Sequence, residues 1–156
     1  MSSAPATAAI ANYRPIDARL ATSGQPNEQQ LAAIAAEGYE VIINLALHDD
    51  PRYSLSDETG TVRSLGLEYV HIPVKFDAPT VQDLRAFFEA MERHARRRVW
   101  VHCAANMRVT AFLGLFRVLR QGYSQERAFE PMDSVWKPNA VWAAFIASQL
   151  AEAHDG

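Results

Sequence analysis

A strand-length apolar run, Val99-Trp100-Val101, leads directly into His102-Cys103, a short connection, and a helix-length apolar segment from Val109 to Phe116. No other stretch restricts the fold as tightly. A short, continuously apolar run reads as a buried strand of a parallel sheet, so Arg98 to Phe116 is a strand, a loop and a helix. At such a junction successive main-chain N–H groups point into one concavity, and the helix start adds partial positive charge. The spot suits a phosphate-sized anion. The same field favours the thiolate of Cys103, the nucleophilic form, and Arg108 just beyond would strengthen both effects. Taken alone, Cys103 also reads as a small buried apolar side chain at a strand end.

The flanking chain repeats the theme of helix followed by strand. Leu20 to Ser23 reads as a short edge strand running into a turn at Gly24-Gln25-Pro26. Asn27 is placed to cap a helix over 28–37 that carries Leu31 and Ile34 on one face and ends at Gly38. Val41 to Leu45 follows as a buried strand, and His48-Asp49-Asp50-Pro51 as a loop. A short helix capped by Ser56, with Asp57 and Glu58 suiting its first turn, precedes a third strand signal over 67–74. Thr80 opens a helix to about His94, whose Leu84, Phe87, Phe88 and Met91 share one face. After the helix that Gly122 closes, Ser124 to Phe129 starts another, 131–138 reads as an interruption, and Asn139 to Ala153 as a final amphipathic helix. Trp136 and Trp142 read as core. Helix–strand recurrence predicts an α/β fold with a central, mostly parallel sheet of four to five strands and helices on its faces.

With 156 residues the chain fits one domain, read here as 13–156 behind a disordered, alanine-rich lead-in over 1–12 that lacks the pattern of a secretory signal. A single cysteine allows no internal disulfide, and the five histidines show no metal-ligand spacing, so a reducing, cytoplasmic setting is expected and a metal site is not. A net charge of -3 argues against general nucleic-acid binding, and no apolar stretch is long enough to span a membrane. The basic run Arg93, Arg96, Arg97 and Arg98 precedes the central strand, so it belongs at the end of the sheet away from Cys103 and reads as a solvated face.

His102-Cys103, a short loop, Arg108 and the hydroxyl residue Thr110 resemble the signature loop of cysteine-dependent protein tyrosine and dual-specificity phosphatases. Ser23-Gly24-Gln25-Pro26, the helix, Gly38-Tyr39 and Val41 to Leu45 resemble the opening of compact bacterial relatives of that family. The family's loop has five residues between cysteine and arginine, whereas this one has Ala104, Ala105, Asn106 and Met107, with no glycine. Either the loop is one residue shorter and Arg108 is the phosphate-binding arginine, or Val109 occupies the arginine position and Arg108 is turned by roughly 100° on the helix.

The resemblance implies that Cys103 attacks a phosphate monoester. Arg108 and the main chain of Ala104, Ala105, Asn106 and Met107 would hold the phosphate, with His102 and Thr110 supporting the loop. It also implies an aspartic acid that protonates the leaving oxygen, for which Asp77 is the closest counterpart and Asp83, in a helix-capping position, the alternative. The partner implied is a phosphorylated protein or small molecule, and no metal or organic cofactor is called for. Two rivals remain open: a phosphate- or phosphoprotein-binding member of the same fold without turnover, and a rhodanese-like thiol protein.

Overall fold

The computed structural model describes residues 6–49 and 54–155. Met1 to Pro5, and Asp50 and Pro51 of the expected loop, lie outside the described residues.

Among the described residues, five strands form one sheet: β1 (Arg14–Pro15), β2 (Leu20–Ser23), β3 (Val41–Asn44), β4 (Glu68–His71) and β5 (Val99–His102), in the order β1-β2-β5-β3-β4. All neighbours are parallel except β1, which runs antiparallel to β2. Helices α1 (Glu28–Ala36), α2 (Glu58–Ser64) and α3 (Val81–Arg93) bridge the parallel steps. Helix α4 (Met107–Gln121) leaves the central strand, and α5 (Gln125–Ala128), α6 (Glu130–Val135) and α7 (Ala140–Asp155) complete the chain. The domain is therefore α/β with a five-stranded, mostly parallel sheet between helical layers.

Strand periodicity divides the core. Val41, Ile43, Val99 and Val101 turn to the face covered by α3, α4 and α7, where Phe87, Phe112 and Trp142 are buried. Ala21, Ile42 and Trp100 turn to the other face, against Leu31 and Ile34 of α1 and Val62 of α2. Every residue of β3 and β5 is buried, as expected of strands covered on both sides. Asn27 and Gln30 form a reciprocal capping box on α1, and Thr80 accepts from the Asp83 N–H to start α3. Gly114 lets α4 come close to the turn between α5 and α6, because a Cβ there would lie 2.2 Å from the Phe129 ring.

Four local expectations are corrected. Residues 20–23 are not an edge, since the two-residue β1 pairs outside them. Asp57 caps α2 in place of Ser56, its Oδ1 accepting from the Gly60 N–H at 3.0 Å. The interruption over 131–138 contains α6, because a proline at the start of a helix loses no hydrogen bond. Within the lead-in, residues 6–9 form a 3₁₀ helix, and Thr7 and Ile10 are buried against the sheet's second face, since Ile10 finds an apolar slot beside Leu31 and Trp100.

Candidate active site

β5 sits in the middle of the sheet, between β2 and β3, and delivers Cys103 to its carboxyl end. The Cys103 N–H donates to the Ser23 carbonyl at 3.3 Å, and the side chain is fully buried at the edge of the core shared by α3 and α4. The Ala104 carbonyl accepts from the Gln25 N–H at 3.1 Å, so this part of the loop is tied back to the end of β2. Asn106 takes the left-handed conformation (φ 65°) at the start of α4, a conformation that Asn tolerates better than most residues. The loop therefore makes its turn without the missing glycine. The hydroxyl of Thr110 donates to the carbonyls of Asn106 at 2.8 Å and Met107 at 3.1 Å, bracing the same turn.

Arg108 is the second residue of α4, and its side chain is nine-tenths buried. Nη1 donates to the Val74 carbonyl at 2.8 Å, the guanidinium carbon lies 5.8 Å from the Phe76 ring centre, and Nε is buried without an acceptor among the described residues. Arg108 lines a cavity of about 520 Å³ together with Ala104, Asp77, Phe76, Lys75, Asp49 and the 46–47 segment. Val109, the residue that the other alignment would put in the arginine's place, is fully buried in the core. Asp77 is exposed and shares that cavity, whereas Asp83 lies in the first turn of α3 and does not line it. The strand of chain carrying Asp77 is held from behind, where Trp142 Nε1 donates to the Phe76 carbonyl at 2.6 Å. Trp142 is core as expected, and Trp136, half-buried, packs against the same core with its ring tilted by 40° to that of Phe76 at 5.6 Å.

Beneath the loop lies a buried polar network. His102 Nε2 meets Glu58 Oε2 at 2.7 Å with neither side chain exposed, and Gln25 Nε2 donates to Glu58 Oε1 at 2.7 Å. Burial alone would push the Glu58 carboxyl upward, but the His102 charge and the hydrogen bonds from His102, Gln25 and Tyr69 outweigh it and hold it below the usual glutamate range. Tyr69 is shifted upward by burial and by Glu58, so its hydroxyl stays protonated. That oxygen accepts from Asn44 Nδ2 at 3.0 Å and lies 3.1 Å from His48 Nε2. Partial burial and the neighbouring His71, stacked at 4.3 Å, lower the His48 imidazole. Glu58 is the member of this network that the sequence alone does not reveal. A carboxylate in a first helical turn has a sufficient local explanation, and nothing near it in sequence announces His102, 44 residues away.

Among the described residues no group of three or more His, Cys, Asp or Glu side chains could hold a metal ion, and no helix is long and apolar enough to cross a membrane.

With this geometry in place, the likenesses to known proteins are specific. Residues 5–143 match the family described as a DSP-PTPase phosphatase fused to NAD+ kinase. A beta-lactamase hydrolase-like protein of Xylella fastidiosa (strain Temecula1 / ATCC 700964) is 35% identical over 106 residues, which are 67% of this chain and 24% of that one. The chain thus spans about a quarter of the length of the curated relatives it matches. A phosphatase-type DUF442 protein of Shewanella putrefaciens CN-32 superposes with a TM-score of 0.82 at 33% identity, covering 94% of this chain and 95% of that one. The active form of Tk-PTP shares the fold, with a TM-score of 0.72 at 24% identity over 92% of this chain and 97% of that one.

Proposed function

The chain belongs to the family of DSP-PTPase phosphatases fused to NAD+ kinase, and on that premise we propose that it hydrolyses phosphate monoesters through a phosphocysteine on Cys103. One observation carries the reading: Arg108, Asp77 and Ala104, the residue that follows Cys103, line a single cavity at the carboxyl end of the central strand. That is where ligands collect in parallel sheets.

The Cys103 sulfur attacks phosphorus as the bond to the leaving oxygen breaks, and Asp77 gives that oxygen its proton. Water then attacks the phosphorus of the thiophosphate, the S–P bond breaks, and the Asp77 carboxylate takes the water's proton. Phosphate departs and the cysteine is restored. In both steps charge is spread over the equatorial oxygens, and the Arg108 fork together with the loop N–H groups stabilises it without having to reorganise. Among the described residues no acceptor pairs with the N–H groups of Ala104 and Ala105, whereas the antiparallel bridge between Gly24 and Ala105 turns the Asn106 N–H to the Ser23 carbonyl. Substrates are phosphorylated proteins or small molecules. A reducing, cytoplasmic setting suits a thiol nucleophile.

The complete burial of Cys103 favours a second reading, in which the loop binds phosphate or a phosphorylated partner without turnover. The two separate on p-nitrophenyl phosphate and tungstate. The phosphatase reading expects turnover by wild type that Cys103→Ser abolishes while tungstate still binds. Binding of tungstate by both with turnover by neither establishes the second reading and overturns the first.

A further inference from the structure

Two histidines, His48 and His71, stack at 4.3 Å beside the carboxyl ends of β3 and β4, and the phosphatase chemistry uses neither. Both belong to the set of bonds that holds one wall of the Arg108 cavity, formed by Ala46, Leu47 and Asp49. Sheet bonding reaches only as far as Leu45, whose N–H donates to the His102 carbonyl at 2.8 Å and whose carbonyl accepts from the Val74 N–H at 3.0 Å. Beyond it, side chains take over. The Ala46 N–H donates to Asn44 Oδ1 at 2.8 Å, and the Ala46 carbonyl accepts from His71 Nε2 at 2.6 Å.

Asn44 is fully buried, and the Ala46 N–H fixes which way its amide points. With Oδ1 engaged there, Nδ2 faces His48 Nε2 and the Tyr69 oxygen, each at 3.0 Å. An amide nitrogen has hydrogens to give and no lone pair to receive. His48 Nε2 must therefore accept, which puts the ring's proton on Nδ1. The Tyr69 hydroxyl gives its hydrogen to Glu58 and so leaves the Nε2 lone pair to Asn44. Neutral imidazole is thus the form that these bonds fit.

A proton on Nε2 would set two donors face to face across 3.0 Å. The Tyr69 oxygen, 3.1 Å away, already accepts from Asn44. The groups that face His48 are His71 and Tyr69 on β4, Glu58 on α2 and His102 on β5. Glu58 favours a charge on His48, but partial burial and the two neighbouring imidazoles outweigh it, so His48 titrates below its ordinary value of 6.5.

We infer that His48 is a positioning residue of the substrate cavity: neutral and bonded to Asn44, it fixes the 46–49 segment as a wall, and protonated it releases that segment. The inference rests on the phosphatase-type reading of the cavity. Arg108 and the main chain after Cys103 take the phosphate, which leaves the wall to meet the group that carries it. A released wall therefore weakens substrate binding. The chemical step, performed by Cys103, Arg108 and Asp77, stays as it was.

The test uses the whole chain and measures KM and kcat on p-nitrophenyl phosphate between about pH 5 and 8, the range in which an imidazole titrates. His48 lies at the surface, so its replacement opens no hole in the core. His48→Ala removes the acceptor, and His48→Gln supplies an oxygen that accepts from Asn44 without titrating. At the neutral end His48→Ala is expected to raise KM about fivefold with kcat unchanged, the size of one lost hydrogen bond, and His48→Gln to restore the wild-type value. As pH falls, the ratio of wild-type KM to that of His48→Gln should rise through a midpoint below 6.5, because ionisation of the substrate is common to both. A merely structural role would lower the melting temperature and leave that ratio flat, and a flat ratio overturns the inference. Wild type that does not turn over the substrate overturns the reading of the site and His48's role with it. Wild-type turnover beside a His48→Ala protein of equal KM overturns His48's role alone.

Discussion

The two ends of the sheet are both furnished with arginines and both carry a cavity, yet they differ in what the guanidinium groups meet. At the amino end, Arg97 pairs with Glu68 at 2.9 Å and Glu40 at 3.5 Å. Arg98 there bonds the carbonyls of Ala18 and Glu37 and lies 4.0 Å over the Tyr39 ring, and Arg120 pairs with Glu92 at 3.0 Å. At the carboxyl end, Arg108 has the Val74 carbonyl and an Nε that no described residue accepts. The cavity beside Arg97 and Arg120, about 450 Å³, is similar in size to the one beside Arg108, so volume does not single out the site. Unspent hydrogen-bonding capacity does. A cation already matched by carboxylates stabilises a surface, whereas a buried cation with donors to spare is ready for an anion.

Substitutions at the two ends should therefore behave oppositely. Arg108→Lys replaces a planar fork with a single point charge and is expected to lower kcat on p-nitrophenyl phosphate about a thousandfold, with little change in folding. Asp77→Asn comes next, at about a hundredfold, because the leaving oxygen loses its proton donor. Asp83→Asn should leave turnover at the wild-type level, and the reverse pattern in pH–rate profiles would move the acid to α3.

Glu58→Gln reads out mainly as stability, at about 1–2 kcal/mol in urea titrations at neutral pH, since it removes the charge but not the shape from a fully buried pair. Its pH dependence has a definite sign. The folded-state Glu58 carboxyl titrates below its ordinary value of 4.5, so as pH falls the unfolded chain takes up the proton first. The pair's contribution is complete above that value and is lost as pH falls through it toward the folded-state value. Stability of wild type should accordingly drop in that window, and Glu58→Gln should flatten this part of the curve. Arg97→Ala should do least. Turnover should be unchanged, and any shift in melting temperature should shrink as salt is added, as expected of exposed ion pairs.

Much of this molecule is legible in its residues because its main elements obey local rules. Val41 to Asn44 and Val99 to His102 are nearly all apolar because the sheet is covered on both faces, and α1 and α3 begin at the side chains that cap them. The strand–loop–helix around Cys103 follows from the same pattern, as does the placement of the arginine run at the opposite end. What escaped depends on contacts distant in sequence. β1 is two residues long and exists only because β2 offers it an edge. α6 hides behind Pro131, which breaks a helix interior but opens one freely. Glu58 carries a local explanation that conceals its pairing with His102. Asn12 sits in an alanine-rich stretch with the composition of a disordered tail, and only the docking of Ile10 brings its amide to the loop.

During turnover the cysteine at the end of the middle strand should itself become phosphorylated. Acid-quenching the wild-type protein during turnover of p-nitrophenyl phosphate and analysing its peptides by mass spectrometry tests this directly. One phosphoryl group is expected on the peptide containing Cys103, building up within the first turnover and absent from Cys103→Ser. Steady turnover with that peptide unmodified at every quench time would contradict it.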